Sequence, residues 1–156
     1  MKCHVLAVGQ RLPAWAETAC ADYLKRFPPE VRVLVHTVKA EPRAPGRSAA
    51  AIMAAEAQRL RHACPKGARL VALDERGQRC TTDQLAQRWA HWQQSGQDVA
   101  LLIGGADGLD PGLRAQAHEQ LRLSDLTLPH ALVRVLLLEQ LYRVWSIHAG
   151  HPYHRA

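Results

Sequence analysis

The stretch Val99-Ala-Leu-Leu-Ile-Gly-Gly-Ala-Asp-Gly-Leu109 decides the fold. No position from 99 to 103 is polar, whereas a strand with one wet face would alternate, so this run reads as a strand covered on both sides. It passes directly into a turn with glycine at 104, 105 and 108. Glycine permits positive φ and removes side chains that would keep a ligand off the backbone. A buried strand ending in such a turn belongs to an open α/β sheet, whose ligands sit at the carboxyl ends of the strands. Taken alone, the glycines suit a tight structural turn equally well.

Working outward, apolar and β-branched runs recur at Val5–Val8, Val31–Val38 and Leu70–Leu73. Between them lie Trp15–Arg26, Ala49–His62 and Leu85–Trp92, rich in Ala, Leu, Gln, Glu and Arg, with Ser48 and Thr82 standing where N-caps belong. The order β-α-β-α-β-α-β predicts a Rossmann-like parallel sheet flanked by helices. A chain of 156 residues makes one such domain, residues 1–156.

A further short strand and loop follow in Leu121-Arg-Leu-Ser-Asp-Leu-Thr-Leu-Pro-His-Ala131, where Pro129 delays the next helix. This loop, the glycine turn and Leu73-Asp-Glu-Arg-Gly77 fall at the same end of the sheet. Together they predict a cleft walled by main chain, able to read an adenine edge with few side chains. A dinucleotide site is the competing enzyme reading, with Asp125 about twenty residues beyond the glycines to hold a ribose. The spacing Gly-Gly-x-x-Gly, its place at the fourth strand, and Pro111 and Gly112 directly behind it argue against that reading.

Ala131–Ala149 is apolar on nearly every side, broken by Arg134, Glu139, Gln140, Arg143 and Ser146. A charge at the centre of a bilayer costs about 3 kcal/mol, so the charged residues make this a helix buried in its own core and against a partner rather than a membrane span. The net charge of +6 and a pI near 9.5, carried mainly by arginine, favour a polyanionic partner. Lys39-Ala-Glu-Pro-Arg-Ala-Pro-Gly-Arg-Ser48 reads as an exposed basic loop. Four scattered cysteines without a C-x-x-C pair and no export signal at the N-terminus fit a reducing, cytoplasmic setting.

The tail His148-Ala-Gly-His-Pro-Tyr-His-Arg-Ala156 gathers imidazole, phenol and guanidinium groups. A metal site there lacks an accompanying carboxylate or cysteine, and Pro152 breaks any helical face, so no metal is expected. Tyr and Arg so placed suit stacking on, and hydrogen bonding to, a splayed-out base. Lying next to the terminus, the tail is expected to be dispensable for the core.

Ala7-Val-Gly, Leu73-Asp74, Leu101-Leu-Ile-Gly-Gly, Leu126-Thr-Leu-Pro-His, Val133-Arg-Val-Leu, Leu141-Tyr-Arg-Val-Trp-Ser-Ile and His151-Pro-Tyr-His-Arg resemble the signature segments of the ribosomal RNA large-subunit methyltransferase H family. The resemblance implies a SPOUT-class α/β fold whose C-terminal part forms a deep trefoil knot holding S-adenosylmethionine, an arrangement that general topology rules would not supply. It also implies a homodimer joined through the long apolar helix, and methylation of N3 of a pseudouridine in helix 69 of 23S rRNA, in the large subunit or the assembled ribosome. Carried over residue by residue, it puts the cofactor on Leu73, Gly104, Leu123, Ser124, Asp125, Leu126, Thr127 and Leu128. Arg143, Tyr153, His154 and Arg155 would approach the target base. There a cation such as Arg155 or Arg143 would stabilise the developing N3 anion and His154 is a candidate proton acceptor, the assignment among the three staying open. Ala106 and Asp107 depart from the family, whose glycine loop often carries proline or glutamate. A basic RNA-binding module without catalysis is the alternative on the same fold.

Overall fold

A computed structural model describes residues 1–155; Ala156, the last residue of the expected domain, lies outside the described residues. Five strands, β1 (Lys2–Val8), β2 (Arg32–Val38), β3 (Arg69–Arg79), β4 (Val99–Ile103) and β5 (Glu119–Arg122), form one parallel sheet in the order β2-β1-β4-β3-β5. Five helices join or follow them: α1 (Ala14–Arg26), α2 (Ala49–Ala63), α3 (Thr82–Ser95), α4 (Pro111–Gln116) and α5 (His130–Ala149). A 3-10 turn, Pro152–His154, closes the chain.

Side chains alternate across the strands, so each face of the sheet meets its own helices. Cys3, Val5, Ala7, Val71, Leu73, Val99, Leu101 and Ile103 join a core with Trp89 and Trp92 of α3 and Leu137, Leu138, Leu141 and Val144 of α5, against which α1 packs Cys20, Tyr23 and Leu24. Leu6, Val8, Ala72, Ala100 and Leu102 meet Leu60 of α2 and Leu113 of α4 on the other face. Burial on both faces is why β4, buried at all five positions, reads as an unbroken apolar run.

The limits of β4 agree with the expectation, and Ser48 caps α2 by accepting from the Ala51 amide at 3.1 Å. The cap of α3 is Thr81, not Thr82: Gln84 N donates to Thr81 Oγ1 at 3.1 Å and Thr81 N to Gln84 Oε1 at 2.8 Å, a reciprocal capping box. Thr82 instead donates to Gln140 Oε1 at 2.7 Å, joining α3 to α5. Strand β3 runs beyond Leu73: residues 74–77 leave the ladder, and Gln78 and Arg79 pair with β5 again. A Cβ on Gly77 would lie 2.7 Å from the Leu121 carbonyl carbon, so only glycine lets the excursion fold against β5. Helix α4 was not among the expected elements.

The chain leaves β5 at one edge of the sheet, yet α5 begins beside the end of β1. His130 Nε2 donates to Val8 O at 2.8 Å, and Arg134 Nη2 donates to Val8 O at 2.6 Å and also to Gly9 O. The connection 123–129 therefore crosses the carboxyl ends of β3 and β4. Replacing Thr81 with Ala removes one arm of the capping box and is expected to lower the unfolding free energy by about 1 kcal/mol, measured by urea denaturation.

Candidate functional site

A cavity of about 500 Å³ opens where the connection 123–129 crosses the ends of β3 and β4. It lies within the range of roughly 300–1,000 Å³ usual for small-molecule and cofactor pockets. Leu73, Gly104, Leu123, Ser124, Leu126, Thr127 and Leu128 line it, as do Ile103, Val133 and the glycine turn through Gly108. Asp125 does not: its carboxylate turns outward to Arg79 Nη2 at 3.0 Å and Arg122 Nη2 at 3.4 Å.

The glycine turn needs its glycines for a reason nearer than a ligand. A Cβ on Gly104 would lie 2.4 Å from the carbonyl carbon of Gly108, because the turn folds back on itself with Gly108 N donating to Gly105 O at 3.0 Å. Of the three, Gly108 alone has positive φ, at 89°. A Cβ on Gly105 would stand 2.9 Å from Oε1 of Glu56, a buried carboxylate beneath the turn. Burial pushes the Glu56 carboxyl above its usual range, against the opposing bond from the Glu41 amide at 3.1 Å. Asp107, one of the two departures in this turn, pairs with Arg43 at 2.6 Å and so joins the basic loop to the cavity's rim.

The carboxylates of Asp74 and Asp107 at the cavity are tied down locally. Asp74 accepts from the Arg76 amide at 2.8 Å and faces Arg114 Nη1 at 3.5 Å, and Ser124 Oγ accepts from the Leu126 amide at 2.9 Å. Much of the remaining wall is main chain and apolar side chains, joined by Glu75, Arg76, Arg122 and Thr127 and by the N-terminus of α5, which no side chain caps. His130, at that terminus, is held below the ordinary histidine range by burial and by the Arg134 guanidinium. Sequence reading missed both residues; an isolated buried cation carries no periodic signal.

Arg143 and Tyr153 meet at the far end of α5, with His154 beside them in the tail and the exposed Arg155 following it, and none of the four lines the cavity. From His130 to Arg143 is thirteen helical positions, about 20 Å along α5. The hub of the cluster is Glu139, also missed. Its Oε1 accepts from Arg143 Nε at 2.9 Å and Nη2 at 2.7 Å and from the Tyr153 hydroxyl at 3.0 Å. Since the Tyr153 proton points at Glu139, the Tyr23 hydroxyl donates to Tyr153 at 3.0 Å. Burial, then these bonds, push the Tyr153 phenol far above its usual range, so it is a neutral donor and no base. The Arg143 guanidinium lies 5.1 Å from the Tyr153 ring centroid, a cation–π distance.

His154 is fixed through buried Ser146. The Ser146 hydroxyl donates to the His151 carbonyl at 2.9 Å, which has no proton to give in return. Its lone pairs therefore accept the His154 amide at 3.2 Å and the His154 Nδ1–H at 2.9 Å. In the neutral ring that leaves Nε2 as the acceptor nitrogen. The tail is thus docked: Tyr142 stands 4.6 Å from the Tyr153 ring and 6.2 Å from the His151 ring. The expectation that the tail is dispensable for the core is corrected, because its aromatic rings and hydrogen bonds complete the end of α5 against α1. Among the described residues no cluster of three ligating side chains suits a metal, and no helix is long and apolar enough to cross a membrane.

Residues 1–154 match the family described as predicted SPOUT methyltransferase. The chain is 64% identical over 155 residues to ribosomal RNA large subunit methyltransferase H of Verminephrobacter eiseniae, covering 99% of each. It is 66% identical, with the same coverage, to the protein of that name from Methylibium petroleiphilum. A crystal structure of a probable methyltransferase from Bordetella pertussis has the same fold at 15% identity, with a TM-score of 0.53 over 92% of this chain and 95% of that one.

Three outcomes follow from the geometry. Deleting residues 151–156 should lower the unfolding free energy by about 2–4 kcal/mol, since it removes aromatic pairs and part-buried hydrogen bonds; an unchanged melting temperature would contradict the docked tail. Nitrogen-15 NMR should find His154 protonated at Nδ1, and Ser146→Ala should abolish that preference. His130 has its pKa depressed by folding, so its contribution to stability is present above about pH 6.5 and is lost as the pH falls through the lower folded value. Melting curves between pH 7.5 and 5 should accordingly fall less steeply for His130→Gln, which keeps the donor to Val8 O without a titrating ring.

Proposed function

The chain belongs to the SPOUT methyltransferase family, and from that premise we propose that it transfers a methyl group from S-adenosylmethionine to N3 of a pseudouridine in helix 69 of 23S ribosomal RNA. The observation that carries the reading is the single cavity made by the glycine turn and the 123–129 connection at the ends of β3 and β4. Its chemistry fits the cofactor. Main-chain groups and the apolar walls of Leu73, Ile103, Leu123 and Leu128 suit an adenine, and the uncapped N-terminus of α5 suits a carboxylate. The trefoil knot belongs to the same reading, in keeping with a connection that crosses two strand ends before α5 begins. The names of the relatives and the charge of +6 support an RNA substrate, and localisation in the cytoplasm accompanies it.

The bound cofactor supplies a methyl group on a sulfonium, an electrophile open to in-line attack. The protein's part is to align the acceptor and to manage the N3 proton. His154 Nε2, left as a free lone pair by the Ser146 network, receives that proton. Arg155 and Arg143 offset the charge left on the ring, and Tyr153, locked to Glu139, gives an aromatic edge against which the base is held. Held by Leu73, Gly104 and the 123–129 connection, the cofactor would supply the methyl group to N3, its sulfonium becoming a neutral thioether.

The two half-sites stand about 20 Å apart along one helix, and a single rigid helix cannot bring its ends together. In this reading a second copy brings its tail to the cavity. The part-exposed ridge of α5, which includes Leu132, Val135, Leu136 and Gln140, suits that contact.

Three measurements test these statements. Calorimetry should show S-adenosylmethionine binding that Gly104→Val abolishes, because its Cβ collides with Gly108 and opens the turn; a wild-type chain that does not bind the cofactor would favour the non-catalytic RNA-binding alternative. Mass spectrometry of 23S rRNA from a deletion strain should find the pseudouridine unmethylated. Homodimers of Gly104→Val and of Arg155→Ala should each be inactive, while mixing them should restore about a quarter of wild-type activity, since half the dimers then hold one intact composite site. No recovery on mixing would place tail and cavity in the same protomer.

A further inference from the structure

A second groove, of about 420 Å³, lies on the outer side of α3 where β3 and β5 meet it, and the mechanism makes no use of it. Gln84, Gln87, Arg88 and His91 stand at i, i+3, i+4 and i+7, the polar face of α3 opposite buried Leu85, Ala86, Trp89 and Trp92. Arg69, Gln78 and Arg79 of β3 form the opposite side. Three arginines thus line a groove whose single acid is Glu119.

Glu119 sits at the floor as an organiser. It accepts from Arg69 Nε at 2.6 Å, from Trp92 Nε1 at 2.8 Å and from Arg88, whose other terminal nitrogen donates to Gln78 Oε1 at 2.9 Å. Two guanidinium groups therefore share one carboxylate. Arg69 uses only Nε on it, and its terminal nitrogens have no partner among the described residues. The pattern repeats at the next position along the surface, where Arg79 and Arg122 share Asp125. Arg122 also lines the cofactor cavity, and its Nε is buried without a partner. The groove thus leads, through Arg79, Asp125 and Arg122, to the cavity's rim.

We propose that this groove holds the sugar–phosphate backbone of ribosomal RNA flanking the target nucleotide. The inference rests on the reading of the substrate as rRNA and names the surface that grips it. Guanidinium forks preoriented by a shared carboxylate offer paired N–H groups to phosphate oxygens. Glutamine amides between them donate to phosphate or 2′-hydroxyl oxygens, and neither kind of contact depends on base sequence. The groove has no exposed large apolar side chain to anchor a protein partner.

The test places negative charge in the groove without touching the ion pairs. Gln87→Glu with His91→Glu alters two exposed positions of α3, and Arg32→Glu, at the opposite edge of the sheet, makes the same total charge change as a control. The probes are purified large ribosomal subunits and intact ribosomes with S-adenosylmethionine. In the double variant the KM for the ribosomal substrate should rise about tenfold with kcat and cofactor affinity unchanged, and the control should stay within about twofold. Arg79→Gln should flatten the dependence of log affinity on log salt by nearly one unit, the signature of one lost phosphate contact. The proposal is overturned if the double variant and the control behave alike, or if the variant's defect remains when binding is measured to subunits stripped of RNA by ribonuclease. Failure of the wild-type protein to methylate rRNA at all would instead overturn the substrate reading on which the groove depends.

Discussion

Everything near the site depends on where α5 begins. A strand at one edge of the sheet is followed by a helix that starts three strands away, and the Val8 carbonyl is the peg that holds it there. Two donors from successive turns of α5, His130 and Arg134, converge on that oxygen. Burying a guanidinium without a carboxylate is costly, and Arg134 is buried with only main-chain carbonyls and a neutral imidazole around it. The fold tolerates this because the anchorage stretches residues 123–129 across the strand ends, which is what makes a cavity there at all.

From that anchor, α5 sets the rest by its length. It is apolar around most of its circumference because α1, α3 and the sheet cover it, and its few polar residues are all engaged: Arg134 at the start, Gln140 on Thr82, Glu139 on Arg143 and Tyr153, Ser146 on the tail. The tail is therefore part of the helix's own capping, and its chemistry inherits the helix's rigidity. Neutral Tyr153 and the Nδ1–H tautomer of His154 follow from partners in the protein's interior, so the donor and acceptor atoms of both rings are set by the fold.

The sequence made the sheet legible because parallel strands buried on both faces leave unbroken apolar runs, and β4 could be delimited to the residue. What it concealed has physical causes. Adjacent threonines are equivalent as caps until Gln84 selects Thr81 by reaching back. The excursion 74–77 hides in a run of polar residues whose one signal is Gly77. Helix α4 has six residues, too few to show a period. The residues lining the cavity were largely readable because they sit in two contiguous loops, while Glu139, Ser146, Tyr23 and Arg134 acquire roles only through partners brought together by folding; Tyr23 and Tyr153 are 130 positions apart.

A rod that fixes the distance between the anchor on Val8 and the docked tail is also sensitive to its own length. Substitutions along the outer ridge of α5 change packing at one point, but a one-residue insertion between His130 and Glu139 would turn everything beyond it by about 100° and advance it by about 1.5 Å. Glu139, Ser146 and the tail would then face a different neighbour while the anchor stayed in place. The physical constraint on this segment therefore bears on the number of its residues more heavily than on their identity.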